Sequence, residues 1–248
     1  MDKQEFLKFL EIGIEKHLGK LTNKEKNYTR DKGKKIIDLL IELETGNHLI
    51  GLDSDAVGSI RKDIDSMMFN YDHIRNMHLG FMKMIENHKG SSPKTEIILN
   101  DKNGNEYKIT MNQIVTFFAW NYCSLCEIMR SFFMSVIDFS NLRGRNPTGL
   151  GSVIKTLKDN EIGVSFFNDI DTQVRNSFFH LTFRFDKDRI YCKNEPEKHK
   201  TNPWRKPEDN SQSDYIVLTD LIKLILNADR SNYVLMAGVE YFIKKSGY

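Results

Sequence analysis

"MNQIVTFFAWNYCSLCEIMRSFFMSVIDF", residues 111–139, is the longest apolar-rich stretch of the chain. No charge occurs from Ile109 to Cys126, and Glu127 is the only one between Lys108 and Arg130. Asn112, Gln113, Asn121 and Ser124 interrupt the run, which suits a buried helix in a folded core better than a membrane span. A helix this apolar must be covered on most sides, so other elements have to wrap around it.

The neighbouring sequence supplies them, largely at helical period. Residues Asp2 to Leu21 alternate charged and apolar side chains at helical spacing, and a second such segment runs from about Lys24 to Glu44 until Gly46 and Asn47 stop it. A long helix is expected over roughly residues 54–88, ending before Gly90. "KTEIILNDKNGNEYKIT", residues 94–110, reads as a hairpin around a Lys-Asn-Gly-Asn turn. Beyond the central run, "SNLRGRNPTG" (140–149) breaks the chain, and a short helix is expected near 150–159. "FRFDKDRIYCKN" (183–194) reads as strand-turn-strand. "NEPEKHKTNPWRKPEDNSQSD" (194–214) holds three of the five prolines and reads as a mobile loop. The chain then closes with a helix capped by Thr219 and Asp220 and a final helix. The expected class is mostly α with two small β-hairpins.

Bulk properties bound the function. At 248 residues the chain is one large domain or a domain with an extension. Lys and Arg number 36 against 34 Asp and Glu, a net charge of +2, so any contact with nucleic acid must come from a local patch. Three cysteines give no disulfide framework, and the first twenty residues lack the apolar centre of a secretory signal, so a cytoplasmic, non-membrane protein is expected.

Against that background "DTQVRNSFFHLTFRF", residues 171–185, stands out by placing Arg175, Asn176 and His180 in an aromatic stretch. On a helical wheel Phe167, Ile170, Val174, Phe178 and Leu181 form one stripe. Asp169, Thr172, Arg175, Asn176, Phe179 and His180 occupy the opposite half, with Asn176 and His180 one turn apart. A solvated face with His180 as bystander is one reading. The other is a surface for an interface or a phosphate, favoured because the face carries Arg, Asn, His and Phe and lacks the Lys and Glu of the other solvated faces.

The order Arg-Asn-x-x-x-His, with Asn directly after Arg on a late amphipathic helix that follows a long apolar one, resembles the motif of the HEPN superfamily. Its members are all-α modules found in toxin, abortive-infection and CRISPR-effector ribonucleases. The resemblance covers roughly residues 111–248 and implies a HEPN-like helical bundle over 61–248, with residues 1–60 as an N-terminal helical extension. It further implies a metal-independent endoribonuclease without cofactor, in which the ribose 2′-OH attacks the adjacent phosphate. His180 would then exchange the proton, Arg175 hold the phosphate, and Asn176 orient one or the other. It implies a homodimer with a composite site, with RNA as substrate and an antitoxin or other regulatory partner, in toxin or antiviral defence. The alternative it leaves open is a non-catalytic HEPN-like module binding RNA or a partner protein.

Other constellations carry less. Cys123 and Cys126 have the spacing of half a zinc site, but no second pair follows and the flanks read as core, so buried structural cysteines are expected. Glu127 would pair with a cation or, alternatively, reach the Arg175 cluster. His73, Arg75, Asn76 and His78 echo the motif at the wrong spacing and read as ordinary helix. Arg143 and Arg145 could contact phosphate, and Trp204 could stack on a base or dock a partner; ordinary loop structure accounts for them equally well.

Overall fold

The computed structural model describes residues 3–17, 22–50, 96–100, 103–144, 147–180, 183–186, 189–192, 206–207 and 214–245, with isolated positions between 58 and 80 that are all helical. The expected helix over 54–88 otherwise lies outside the described residues. The fold is mostly α, and the described chain separates into two compact units. The first comprises residues 1–71, 125–170 and 227–248; the second comprises 72–124 and 171–226.

In the first unit, α1 (Lys3–His17) packs along α2 (Asn23–Thr45). Helix α2 starts where the sequence is best suited to start one. The Thr22 hydroxyl accepts from the Glu25 N–H, and the Glu25 carboxylate accepts from the Thr22 N–H at 2.8 Å. It stops at Gly46, followed by Asn47 at a φ of 55°, a conformation that asparagine tolerates better than most residues. The end of α3 (Met111–Val136), α4 (Leu150–Asp159) and the later part of α6 (Leu218–Lys245) complete this unit. Phe132, Phe133, Phe166 and Phe167 meet edge-on or tilted in its core, where all four are essentially buried. Lys32, fully buried, donates to the Phe166 carbonyl at 2.7 Å.

Helix α6 carries a buried polar run, Asp229 to Asn232. The Arg230 guanidinium pairs with Asp229 and lies 3.5 Å from the Glu25 carboxylate, while the Asn232 amide donates to the Leu125 carbonyl at 2.8 Å. Asp229, Arg230 and the Asn232 amide nitrogen are thus paired, as buried polar groups generally are, whereas Ser231 Oγ and Asn232 Oδ1 are buried without a hydrogen-bond partner among the described residues.

The second unit holds the expected hairpin of β1 (Glu96–Asn100) and β2 (Glu106–Thr110), antiparallel with Asn100 opposite Glu106. It also holds the start of α3, helix α5 (Thr172–Phe179), the start of α6, and a four-stranded antiparallel sheet. That sheet contains β3 (Arg184–Asp186), β4 (Arg189–Cys192), β5 (Lys206–Pro207) and β6 (Asp214–Val217), in the order β3-β4-β6-β5. The expected strand pair 183–194 is therefore two strands of a larger sheet. Residues 206–207 and Asp214, read as part of a mobile loop, instead lie in β5 and β6, and residues 215–217, ahead of the expected cap at Thr219 and Asp220, complete β6. The β-branched pair Ile216 and Val217 fits a pleated position, and Ile216 is fully buried opposite Ile190. Only beyond Val217 does the chain turn helical, and it then runs without a break to Lys245, one helix where two were expected. Among the described residues no helix is long and apolar enough to cross a membrane.

Candidate functional site

Helix α5 begins at a buried cap. The Asp171 carboxylate accepts from the Gln173 and Val174 N–H groups, each at 3.0 Å. The Tyr122 hydroxyl, also buried, bridges the backbone of the same residue, accepting from the Asp171 N–H at 3.0 Å and donating to its carbonyl at 3.2 Å. From the next residue of α3, the Cys123 thiol lies 3.5 Å from the Arg175 carbonyl. The start of α5 is thus fixed by its own aspartate and by two side chains of α3.

This cap corrects the wheel drawn from sequence. Phe167 and Ile170 precede the helix: Phe166–Asp169 is a 3₁₀ turn, and Asp171 at φ −94° and ψ 93° separates it from α5. Asparagine or aspartate at such a position offers the backbone an alternative partner, which ends one helical segment and starts another. The sidedness within the helix proper is as expected: Val174 and Phe178 are buried, Asn176 and Phe179 are exposed, and Arg175 is half-buried. Leu181 lies outside the described residues.

Arg175, Asn176 and His180 are brought together at the C-terminal end of α5. An Arg175 Nη1–H donates to Asn176 Oδ1 at 2.9 Å. The His180 N–H donates to the Asn176 carbonyl at 3.0 Å, which places the exposed His180 as the cap directly past the last helical residue. Phe179 stands among them. The Arg175 guanidinium lies over its ring at 4.5 Å, and the His180 ring meets it edge-on with centroids 5.3 Å apart. The outcome is a guanidinium and an imidazole against one aromatic ring that is itself 57% exposed, with the Asn176 amide bonded to the guanidinium.

Such a set can grip an anion through the guanidinium fork and give or take a proton through the imidazole. Among the described residues no cluster of three or more His, Cys, Asp or Glu side chains could hold a metal ion. Cys123 and Cys126 are buried, as expected of structural cysteines, and Cys192 is buried as well.

The other sequence candidates are placed as follows. Glu127, in the first unit, accepts from Arg130 Nε at 2.7 Å. Arg143, exposed and also in the first unit, is held through its backbone, its N–H donating to Asn160 Oδ1 at 3.1 Å and its carbonyl accepting from Asn160 Nδ2 at 3.0 Å. His73 is helical. Arg75, His78, Arg145 and Trp204 lie outside the described residues. Tyr122 was not singled out from sequence, and no local pattern would have found it, because its contact with Asp171 joins residues 49 positions apart. Comparison with protein families, curated proteins and solved structures gave no match.

Proposed function

We propose that the chain is a metal-independent endoribonuclease of the HEPN kind, acting in the cytoplasm as a homodimeric toxin or anti-phage defence effector. The observation that supports this reading is the gathering of Arg175 and His180 against the exposed Phe179 ring, with Asn176 bonded to Arg175. The reaction is a transesterification. The 2′ oxygen of a ribose forms a bond to the adjacent phosphorus, the bond to the 5′ oxygen of the next nucleotide breaks, and a cyclic phosphate and a 5′-hydroxyl remain. One proton leaves the 2′-OH and one arrives at the departing oxygen, so two proton transfers are needed.

Arg175 suits the phosphate. Its planar fork matches two non-bridging oxygens and stabilises the charge that grows on them in the transition state. Asn176 holds that fork by accepting from Nη1, and stacking on Phe179 limits its swing. His180 suits proton transfer, but one copy supplies a single imidazole on this face. A two-fold dimer that apposes the ends of two α5 helices supplies a second, and exposed Phe179 offers apolar surface for the contact. Use of the 2′-OH as nucleophile restricts the substrate to RNA.

Cleavage of single-stranded RNA in excess chelator, by the wild-type chain and by His180→Ala, tests the reading. A fall of about a hundredfold or more in His180→Ala is expected for loss of a general acid or base. Equal residual activity in both would remove the enzyme. It would leave the second reading, a non-catalytic module using the same exposed face to hold RNA or a partner protein.

A further inference from the structure

The four-stranded sheet of the second unit presents a row of flat cationic and aromatic groups on one face. Arg184 and Tyr191 are cross-strand partners, as are Tyr191 and Tyr215, so all three project to the same side. Arg189 lies two residues from Tyr191 and therefore shares that side. The side chains follow this register. The Arg184 guanidinium lies 4.1 Å from the Tyr191 ring, the Tyr191 and Tyr215 ring centroids are 5.8 Å apart, and the Arg189 guanidinium lies 4.7 Å from the Tyr215 ring. Guanidinium, ring, ring and guanidinium thus form one continuous ribbon across β3, β4 and β6.

The two arginines are exposed, Tyr215 is half-buried, and Tyr191 is buried beneath its neighbours. The opposite face belongs to the core, since Ile190, Ile216 and Cys192 are buried there. The motif helix α5 packs against β4, the strand that carries Arg189 and Tyr191. Among the described residues all three arginine–aromatic stacks, Arg175–Phe179 included, belong to the second unit.

We propose that this sheet face is a binding platform for single-stranded RNA, delivering the strand to the motif helix packed beside it. The inference rests on the endoribonuclease reading. A single strand offers alternating phosphates and unstacked bases, and a guanidinium plane backed by a tyrosine ring meets both. Its edge forks to a phosphate, while its outer face stacks on a base. Charge complementarity selects this occupant over a protein or a lipid surface. The ribbon is cationic, and no large exposed apolar side chain among the described residues lies on the sheet. A near-neutral chain that acts on RNA needs such a local patch.

Anisotropy of a labelled single-stranded oligoribonucleotide tests the platform, with every arm built on full-length His180→Ala so that RNA is not consumed. Replacing both arginines (Arg184→Gln with Arg189→Gln) is expected to weaken binding about tenfold or more. The slope of log affinity against log salt should become shallower by about 1.4 as two phosphate contacts are lost. Arg184→Lys with Arg189→Lys retains the charge but not the planes, and is expected to keep the salt slope while still losing affinity. Lys155→Gln with Lys158→Gln, exposed on α4, removes the same charge elsewhere and is expected to leave binding unchanged.

Parental affinity in the Gln pair, or an equal loss in the α4 pair, overturns the proposal. Should the Gln pair not fold, the Lys pair decides: weaker binding supports the platform and parental binding overturns it. The two readings fail separately. A chain that binds through the sheet yet never cuts RNA retains the platform and loses the nuclease. A chain that cuts RNA but binds it equally well without the two arginines does the reverse.

Discussion

The Arg175 guanidinium lies 4.5 Å from the centroid of the Phe179 ring, four residues and one helical turn further along α5. A ring that is 57% exposed contributes little to the core, so its value is in restraining the arginine on one side and the His180 ring on the other. An exposed cation–π contact is worth about 0.5–1 kcal/mol. Phe179→Ala is therefore expected to reduce RNA cleavage about two- to fivefold while lowering unfolding free energy by no more than about 1 kcal/mol. Phe179→Tyr, which keeps the ring, is expected to retain activity. Single-turnover cleavage and urea unfolding on the same preparations check this; a large loss of stability with parental activity would give the ring the opposite role.

The cap of α5 makes the converse prediction, a loss of stability that carries activity with it. Asp171 is almost fully buried and accepts from two backbone N–H groups. Asp171→Ala is expected to cost about 1–2 kcal/mol and to lower cleavage as the motif end of the helix loosens. Asp171→Asn, which keeps an accepting oxygen, is expected to recover most of both. Thermal unfolding of the three proteins, read beside their cleavage rates, checks the order.

The difference between these two residues also explains what was legible in the sequence. The period of Val174, Phe178 and Asn176 shows which side of α5 faces the core, and the turn residues Asn103 and Gly104 show that β1 and β2 form a hairpin, because both are local patterns. The start of α5 was misplaced because Phe167 and Ile170 continue the apolar stripe across a break made by one aspartate. The strand at 214–217, ahead of the expected helix cap, was not read from the sequence because it is only four residues long and its first residue ends a Pro-rich polar stretch. Its pairing with β4 is long-range, as is the hold of Tyr122 on Asp171. The ribbon escaped notice for the same reason: Arg184, Arg189, Tyr191 and Tyr215 become neighbours only once three strands are paired.

In the first unit, Glu25 links the cap of α2 to the buried Arg230. Partial burial pushes its carboxyl upward, but hydrogen bonds from the Thr22 N–H and hydroxyl and the nearby Arg230 guanidinium outweigh this and hold it below its ordinary value of 4.5. A carboxyl lowered by folding contributes stability above its unfolded value, and that contribution disappears as pH falls through the folded value. Glu25→Gln is expected to be less stable than wild type at neutral pH and to lose less stability on acidification below about pH 4.5. Denaturant unfolding across that range should show the two stability curves converging; parallel curves would show that Glu25 gains nothing from Thr22 and Arg230.

The proposed composite cleft makes the most demanding prediction. If each cleft draws on both chains, Arg175→Ala and His180→Ala are each inactive as homodimers for different reasons: one lacks the phosphate grip, the other the proton exchange. A mixed dimer then places the His180 of one chain against the Arg175 of the other, one of each in a single cleft. Co-refolding the two inactive proteins at equal concentration is expected to restore cleavage to a small but measurable fraction of wild type, because the one remaining imidazole serves one proton transfer and water the other, with half of the molecules mixed if pairing is random. Activity should rise with the mixed-dimer population separated by differently tagged chains. Persistent inactivity in purified mixed dimers would mean that each α5 end works alone or does not cut RNA, and the dimer would lose its catalytic meaning.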